Sequence, residues 1–142
     1  MSKIARWNMI IGFTVLVFAA SGGFFLATEQ VQSFAAGSAA KSAWWFTVAT
    51  SAHGHTNLFA MIHILFGLTL PYSKAAPRVK FMQSIGIGLG TFTMSILMLA
   101  RSLKPPEPGR DFLGLIIGIM LSCSLAALIS HVMGLLPTKR GL

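Results

Sequence analysis

Four apolar segments divide the chain, and each is about as long as a helix that crosses a bilayer. They run from about 8 to 27, 43 to 70, 81 to 100 and 112 to 136, and a spanning helix takes roughly 20 residues. Basic residues precede the first segment as in a signal peptide, but its length favours a spanning helix. The pattern predicts an all-α fold in which residues 1–142 form a single integral membrane bundle of four transmembrane helices.

The connections between these segments carry polar residues and helix breakers. Residues 28–42 are small and polar, and Pro77 in the turn 73–80 is expected to block continuation of the second helix. The loop 101–111 is dense in proline and charge, and its last residue, Asp111, is placed to cap the fourth helix. We therefore expect three short connections that lie outside the apolar layer.

Glycines in the third segment predict close packing against another helix. Gly86 and Gly90 are four residues apart, so they lie on one helix face and let a neighbouring backbone approach. A phosphate-binding loop is excluded here, because no strand precedes these glycines and no lysine stands where such a loop needs one.

Charge composition agrees with a membrane protein and excludes a nucleic-acid-binding one. Only 10% of the 142 residues are charged and 54% are hydrophobic, and the net charge is +8. A soluble domain is usually about 25% charged. The basic residues lie between the apolar segments and form no stripe, so we expect contacts with anionic lipid and no nucleic-acid partner.

The distribution of basic residues predicts the orientation. The N-terminus, the second connection and the C-terminus hold seven basic residues and no acid, whereas the other two connections hold four basic residues and all three acids. Because the basic excess marks the cytoplasmic side, we expect a multi-pass protein of a bacterial-type inner (cytoplasmic) membrane with both termini in the cytoplasm.

Histidines inside the apolar segments are the candidate functional residues: His53, His55 and His63 in the second segment and His131 in the fourth. An ionisable side chain at membrane depth is costly and marks a functional site by default. His53 and His55 point about 160° apart on a helix, whereas His63 and His131 lie within about one turn of each other in depth.

Imidazole pairs on facing helices are ordinary axial ligands of heme iron. Two pairings are open: His63 with His131, or His53 and His55 with a ligand from another subunit. Copper is the alternative metal, since imidazole suits it as well. A third interpretation is that the histidines are hydrogen-bonding contacts between helices.

The run from Ala52 to Leu58, A-H-G-H-T-N-L, resembles a helix of the catalytic subunit of heme-copper oxidases. It also resembles the second helix of short four-helix membrane proteins described as oxidase subunit I-like. The resemblance implies that His53 and His55 bind hemes on opposite helix faces. The chain has no adjacent pair of histidines for copper and no tyrosine within its spans, so we expect no oxygen reduction by this chain alone.

The sequence thus predicts a heme-b-binding electron-transfer or accessory subunit of a membrane redox complex, with His53, His55, His63 and His131 as ligands or supporting donors. Its expected partners are the lipid bilayer and either other membrane subunits or further copies of itself. The alternatives are a non-catalytic structural subunit of a membrane complex and a membrane copper-handling protein.

Overall fold

A computed structural model describes residues 1–36, 43–104 and 111–137, and within these ranges all regular structure is helical. Helix α1 spans Lys3–Ala35 and α2 spans Ala43–Thr69, which continues into a short 3-10 turn at Leu70–Tyr72. The last long helix, α5, spans Phe112–Leu135. The predicted all-α architecture is confirmed.

The third long helix contains a change of helical pitch that the sequence analysis did not predict. Helix α3 (Pro77–Phe92) leads into a π-helical turn at Thr93–Leu97 and then into α4 (Met98–Leu103). The hydroxyl groups of Thr93 and Ser95 donate to main-chain carbonyls four residues earlier, at 2.7 Å each. Hydroxyl bonds of this kind compete with the helical ladder and bend helices.

Two predicted connections are shorter than expected. Helix α1 continues to Ala35, well into the segment that we predicted to be a polar connection. That segment holds glutamate and glutamine, which favour helix, and no proline before Ala35. Pro77 does not end a helix but begins one, because the first turn of a helix needs no amide donor there. Residues 37–42, 105–110 and 138–142 lie outside the described ranges.

Glycines set how closely the helices approach. A Cβ atom at Gly12 would lie 2.7 Å from the carbonyl oxygen of Ala60, so α1 and α2 meet backbone to backbone. A Cβ atom at Gly86 would lie 2.5 Å from that of Ala127 on α5, and one at Gly90 would overlap Phe59 on α2. The predicted close packing at Gly86 and Gly90 is therefore confirmed.

The helices share a small hydrophobic core at one end of the bundle, formed by Ala5, Phe66, Leu70, Ile87 and Ala127. These residues come from α1, α2 and its 3-10 turn, α3 and α5, so the two helix pairs α1–α2 and α3–α5 join there. The amide of Lys74 donates to the carbonyl of Gly134 at 2.8 Å, which fixes the connection after α2 to the end of α5.

The opposite end is held by a polar cluster. Arg101 forms an ion pair with Asp111, and its guanidinium lies 5.6 Å from the ring centre of Trp44. The indole of Trp44 donates to the carbonyl of Arg101 at 3.1 Å. Asp111 also accepts from the amide of Gly114 at 2.8 Å, which confirms the predicted cap. This cluster ties the start of α2, the end of α4 and the start of α5 together.

Three of the four long helices are long and apolar enough to cross a membrane by length and composition: Lys3–Ala35, Pro77–Leu103 and Phe112–Leu135. Helix α2 is of similar length but is not among them. It carries three histidines and Asn57, and these polar side chains lower its hydropathy. The expectation of four apolar spans is thus met in three helices. The exception is α2, which carries three of the four candidate histidines.

The glycine contacts predict that two matched alanine substitutions change the free energy of unfolding in opposite directions. Gly12→Ala places a methyl group against main-chain atoms of α2, so we expect the free energy of unfolding to fall by about 1–3 kcal/mol. Gly118→Ala on α5 meets nothing within 4 Å, so we expect a gain of up to about 1 kcal/mol from helix propensity alone. Unfolding of both variants in detergent measures this, and equal effects would contradict the packing described.

Candidate functional site

His53 lies on the side of α2 that faces α1. The amide nitrogen of Asn57 donates both to the carbonyl of His53 and to its Nε2, at 3.2 Å each. Its ring packs against Gly23, where a Cβ atom would lie 2.6 Å from Cε1. Since Nε2 accepts, the hydrogen of the neutral imidazole is on Nδ1. The Nε2 lone pair is therefore occupied by the chain itself.

His55 lies on the outer surface of α2, and its side chain is exposed. Its Nδ1 contacts the carbonyl oxygen of Ser51 at 2.8 Å. A carbonyl oxygen only accepts, so Nδ1 carries the hydrogen and Nε2 holds the free lone pair. The opposite directions that the helical spacing predicts for His53 and His55 are confirmed. Of these two rings, only that of His55 presents an accepting nitrogen outside the bundle.

His63 is 1% exposed, and its Nδ1 lies 2.9 Å from Oδ1 of Asn8 on α1. The amide nitrogen of Asn8 donates to the carbonyl of Ile4 at 2.9 Å and to the hydroxyl of Ser84 on α3. These bonds orient Asn8 so that its oxygen accepts from His63, and the hydrogen of His63 is therefore on Nδ1. Within the described ranges, Nε2 of His63 is buried and has no hydrogen-bond partner.

His131 is 5% exposed and contacts α2 near its end. Its Nε2 lies 2.8 Å from the hydroxyl of Thr69, whose own hydrogen is donated to the carbonyl of Leu65. His131 must then donate from Nε2. Its ring packs edge-on against Phe66 with the ring centres 4.5 Å apart. His63 and His131 thus bond to different helices, and their hydrogens are on opposite ring nitrogens.

Two cavities line the side of α2 between α1 and the third long helix. The first, which we call the Trp45 cavity, has a volume of about 600 Å³ and is bordered by His53, Thr56 and Ser95 among apolar side chains such as Phe18, Trp45 and Ile96. Its size falls within the roughly 300–1,000 Å³ of small-molecule sites. It lies at the same end of α2 as the start of the histidine run.

The second, which we call the Trp7 cavity, has a volume of about 580 Å³. Its polar border is formed by Asn8, His63, Ser84, Thr91 and Ser95, and its apolar border includes Trp7, Ile11, Ile85 and Phe92. It adjoins the Trp45 cavity, since Val15 and Ser95 border both. The Trp7 cavity is therefore bordered by one buried imidazole and by polar groups from three long helices.

Among residues 1–36, 43–104 and 111–137, no three His, Cys, Asp or Glu side chains come close enough to hold a metal ion. Cys123, the single cysteine of the chain, is exposed on α5. Copper as the alternative metal stays a prediction.

Two residues that organise the site, Asn8 and Gly23, are not among the residues predicted from the sequence. Asn8 links α1 to α2 and α3, and Gly23 makes room for the ring of His53. A signal for Asn8 exists in the sequence, because an amide at the start of an apolar run is expensive in lipid unless it is hydrogen-bonded. No pattern in the sequence shows that Asn8 pairs with His63 on α2.

The Asn8–His63 bond predicts energetic coupling between α1 and α2. We expect Asn8→Leu and His63→Leu each to lower the free energy of unfolding in detergent, and the double variant to lose less than their sum by about 0.6–1.7 kcal/mol, the range of hydrogen bonds within membrane proteins. The matched cycle of Asn8→Leu with His55→Leu should be additive, because the bonds of His55 within the described ranges stay inside α2. Coupling in the control cycle, or none in the first, would contradict the assigned contact.

Comparison with known proteins gives no family for this chain. No protein-family model matches it, and neither a curated protein nor a solved structure does.

Proposed function

We propose that the chain is an integral membrane protein in which all four long helices cross the bilayer. Large apolar side chains cover the outside of the bundle: Phe18 is 73% exposed and Phe24 is 78% exposed. A soluble monomer rarely exposes so wide an apolar surface. We include α2 among the helices that cross the bilayer because α1 and the third long helix cover its most polar sides, including His53 and His63.

The proposed membrane is a bacterial-type inner membrane, with both termini in the cytoplasm. The contacts support one part of this arrangement, because Ala5 near the N-terminus, Leu70 at the end of α2 and the last turns of α5 meet at one end of the bundle. Basic residues in the first turns of α1 and in the turn 73–80 lie at that same end. Lys139 and Arg140, which belong to the same count, lie outside the described ranges.

Labelling of single cysteines tests the orientation. In a Cys123→Ser background, Ala36→Cys at the end of α1 and Ala76→Cys before α3 place matched exposed thiols at opposite ends of the bundle. We expect a membrane-impermeant maleimide to label Ala36→Cys in intact spheroplasts and Ala76→Cys only after lysis. The reverse pattern would invert the orientation, and labelling of both in intact spheroplasts would contradict a spanning bundle.

The function that the geometry supports best is binding of heme b at a contact between this chain and a neighbouring membrane subunit, with His55 as an axial ligand. His55 carries this proposal. Its ring is fixed by the carbonyl of Ser51 at 2.8 Å, and on the exposed side of α2 its Nε2 has no partner among the described residues. Histidines that bind metals commonly hold their other nitrogen hydrogen-bonded to a carbonyl in this way.

The surroundings of His55 suit a flat apolar group. Gly54 next to it meets nothing within 4 Å, and Leu58 one turn further along is 50% exposed. An imidazole facing lipid without a partner is costly, so a ligand or another chain at this position removes that cost. The group would supply reversible one-electron transfer, and this chain would hold it and fix its orientation.

The second axial ligand comes, in this proposal, from another subunit or from a second copy of the chain. His53, His63 and His131 all bond to groups of their own bundle, and none of them shares the outer surface of α2 with His55. The chain therefore acts as an electron-transfer or accessory subunit of a redox complex and does not catalyse a reaction alone.

A non-catalytic structural subunit is the second candidate, and the internal contacts favour it for three of the four histidines. His53, His63 and His131 contact Asn57, Asn8 and Thr69 respectively, as interhelical or intrahelical hydrogen-bonding groups do. In this candidate His55 contacts a polar group of the neighbouring subunit instead of heme iron. The two candidates differ only in what covers Nε2 of His55.

Titration of hemin into the purified chain in lipid nanodiscs separates these candidates. We expect a Soret band that shifts on reduction and moves to a six-coordinate form when 1-methylimidazole supplies a second ligand. His55→Leu should weaken hemin binding by about tenfold or more, equivalent to at least about 1.4 kcal/mol. Because that change removes a polar ring from the apolar surface, it should not impair folding.

His53→Leu is the matched control, since it alters the neighbouring histidine on the opposite face of the same helix. It should leave hemin affinity unchanged. If the folded wild-type chain shows no Soret band, heme binding is wrong and the structural candidate remains. If His53→Leu loses heme and His55→Leu retains it, the iron ligand is His53, which borders the Trp45 cavity.

A further inference from the structure

A residue on the border of the Trp7 cavity has a buried hydrogen-bond acceptor that heme binding at His55 does not use. His63 borders this cavity, is 1% exposed, and has its hydrogen fixed on Nδ1 by Asn8 at 2.9 Å. Nε2 therefore holds a lone pair that meets no donor in the described part of the chain. A buried acceptor of this kind costs about 1–3 kcal/mol unless a donor reaches it, so the site calls for a ligand with a hydroxyl or amide hydrogen.

Ser84 places a second polar group beside the first. Its oxygen accepts from the amide nitrogen of Asn8, the same side chain whose oxygen accepts from His63. A hydroxyl group can accept and donate at once, so the hydrogen of Ser84 remains suited to an acceptor on the ligand. Two residues on the cavity border, His63 and Ser84, thus carry one acceptor and one donor, and both are bonded to Asn8.

The apolar side chains on the cavity border determine which apolar part of a ligand fits there. Trp7, Ile11, Ile85 and Phe92 border the cavity, and its volume of about 580 Å³ is that of a site for a small molecule. Aromatic side chains favour an aromatic ring in stacked or edge-on contact. Among hydroxyl groups, a phenol is the more acidic, and hence the better partner for an imidazole lone pair.

We propose that the Trp7 cavity binds a lipid-soluble phenol of the hydroquinone class, with its hydroxyl group donating to Nε2 of His63 and Ser84 contacting the ligand's oxygen. The proposal concerns binding alone and does not depend on heme at His55, which lies on another face of α2.

Binding of a decyl-hydroquinone to the whole chain in nanodiscs, under anaerobic conditions, tests this proposal. The matched probe is the dimethyl ether of the same compound, which keeps the ring and the alkyl chain but has no hydroxyl hydrogen. We expect the hydroquinone to bind roughly tenfold more tightly than the ether, as one buried hydrogen bond of about 1.4 kcal/mol implies. Equal affinity would mean a cavity for any apolar molecule and would overturn the proposal.

Two glycine substitutions locate the site without disturbing a hydrogen bond. Gly88 borders the Trp7 cavity, Gly22 borders the Trp45 cavity, and a Cβ atom at either meets nothing within 4 Å. Gly88→Leu should therefore occupy the Trp7 cavity and weaken hydroquinone binding at least tenfold, whereas Gly22→Leu should leave it unchanged. The opposite result places the ligand in the Trp45 cavity and overturns the proposal.

His63→Phe tests the acceptor itself. It keeps an aromatic ring of similar size but removes the lone pair, so hydroquinone and ether should then bind equally well. If this variant does not fold, the Gly88→Leu and Gly22→Leu pair still decides the outcome. A folded wild-type chain that binds neither probe, or a His63→Phe variant that still prefers the hydroquinone, would show the proposal to be wrong.

Discussion

The hydrogen bond between Asn8 and His63 holds the arrangement of this bundle together. Asn8 accepts from His63 on α2 and donates to Ser84 on α3 and to the carbonyl of Ile4 on its own helix. Three long helices thus meet at one amide. In an apolar medium such groups must be satisfied inside the protein, so this contact fixes the rotation of α2 about its axis. That rotation in turn decides which histidine faces inward and which faces out.

Helix α2 is not among the described helices that are long and apolar enough to cross a membrane, and the helices packed against it determine which of its polar side chains are covered. Helix α1 covers His53 through Gly23, and the third long helix covers the side at Phe59 through Gly90. His55 is left on the outer surface, with the carbonyl of Ser51 at 2.8 Å from its Nδ1. The two proposals follow from this division: the exposed ring is assigned to a neighbouring subunit and its heme, and the buried ring to a small molecule in the Trp7 cavity.

The π-helical turn at Thr93–Leu97 contributes to the same division. It lies where the two cavities meet, since Ser95 within it borders both. Hydroxyl groups of Thr93 and Ser95 bond back to the main chain and stabilise the wider turn. Turns of this type occur often at functional sites, and here the turn separates α3 from α4. The ion pair of Arg101 with Asp111 then closes the far end of the bundle.

The sequence by itself determined the number of helices, the cap at Asp111, the close packing at Gly86 and Gly90, and the opposite directions of His53 and His55, because these follow from local hydropathy, spacing and helix geometry. The length of α1, the place of Pro77 and the π-helical turn were not predicted, although helix-favouring residues after Thr28 and the preference of proline for a first helical turn are local signals for the first two. Only the tertiary structure decided which ring nitrogen of His63 and of His131 is free. That choice depends on partners such as Asn8, which lies 55 residues from His63 along the chain, and no local pattern brings residues so far apart into contact.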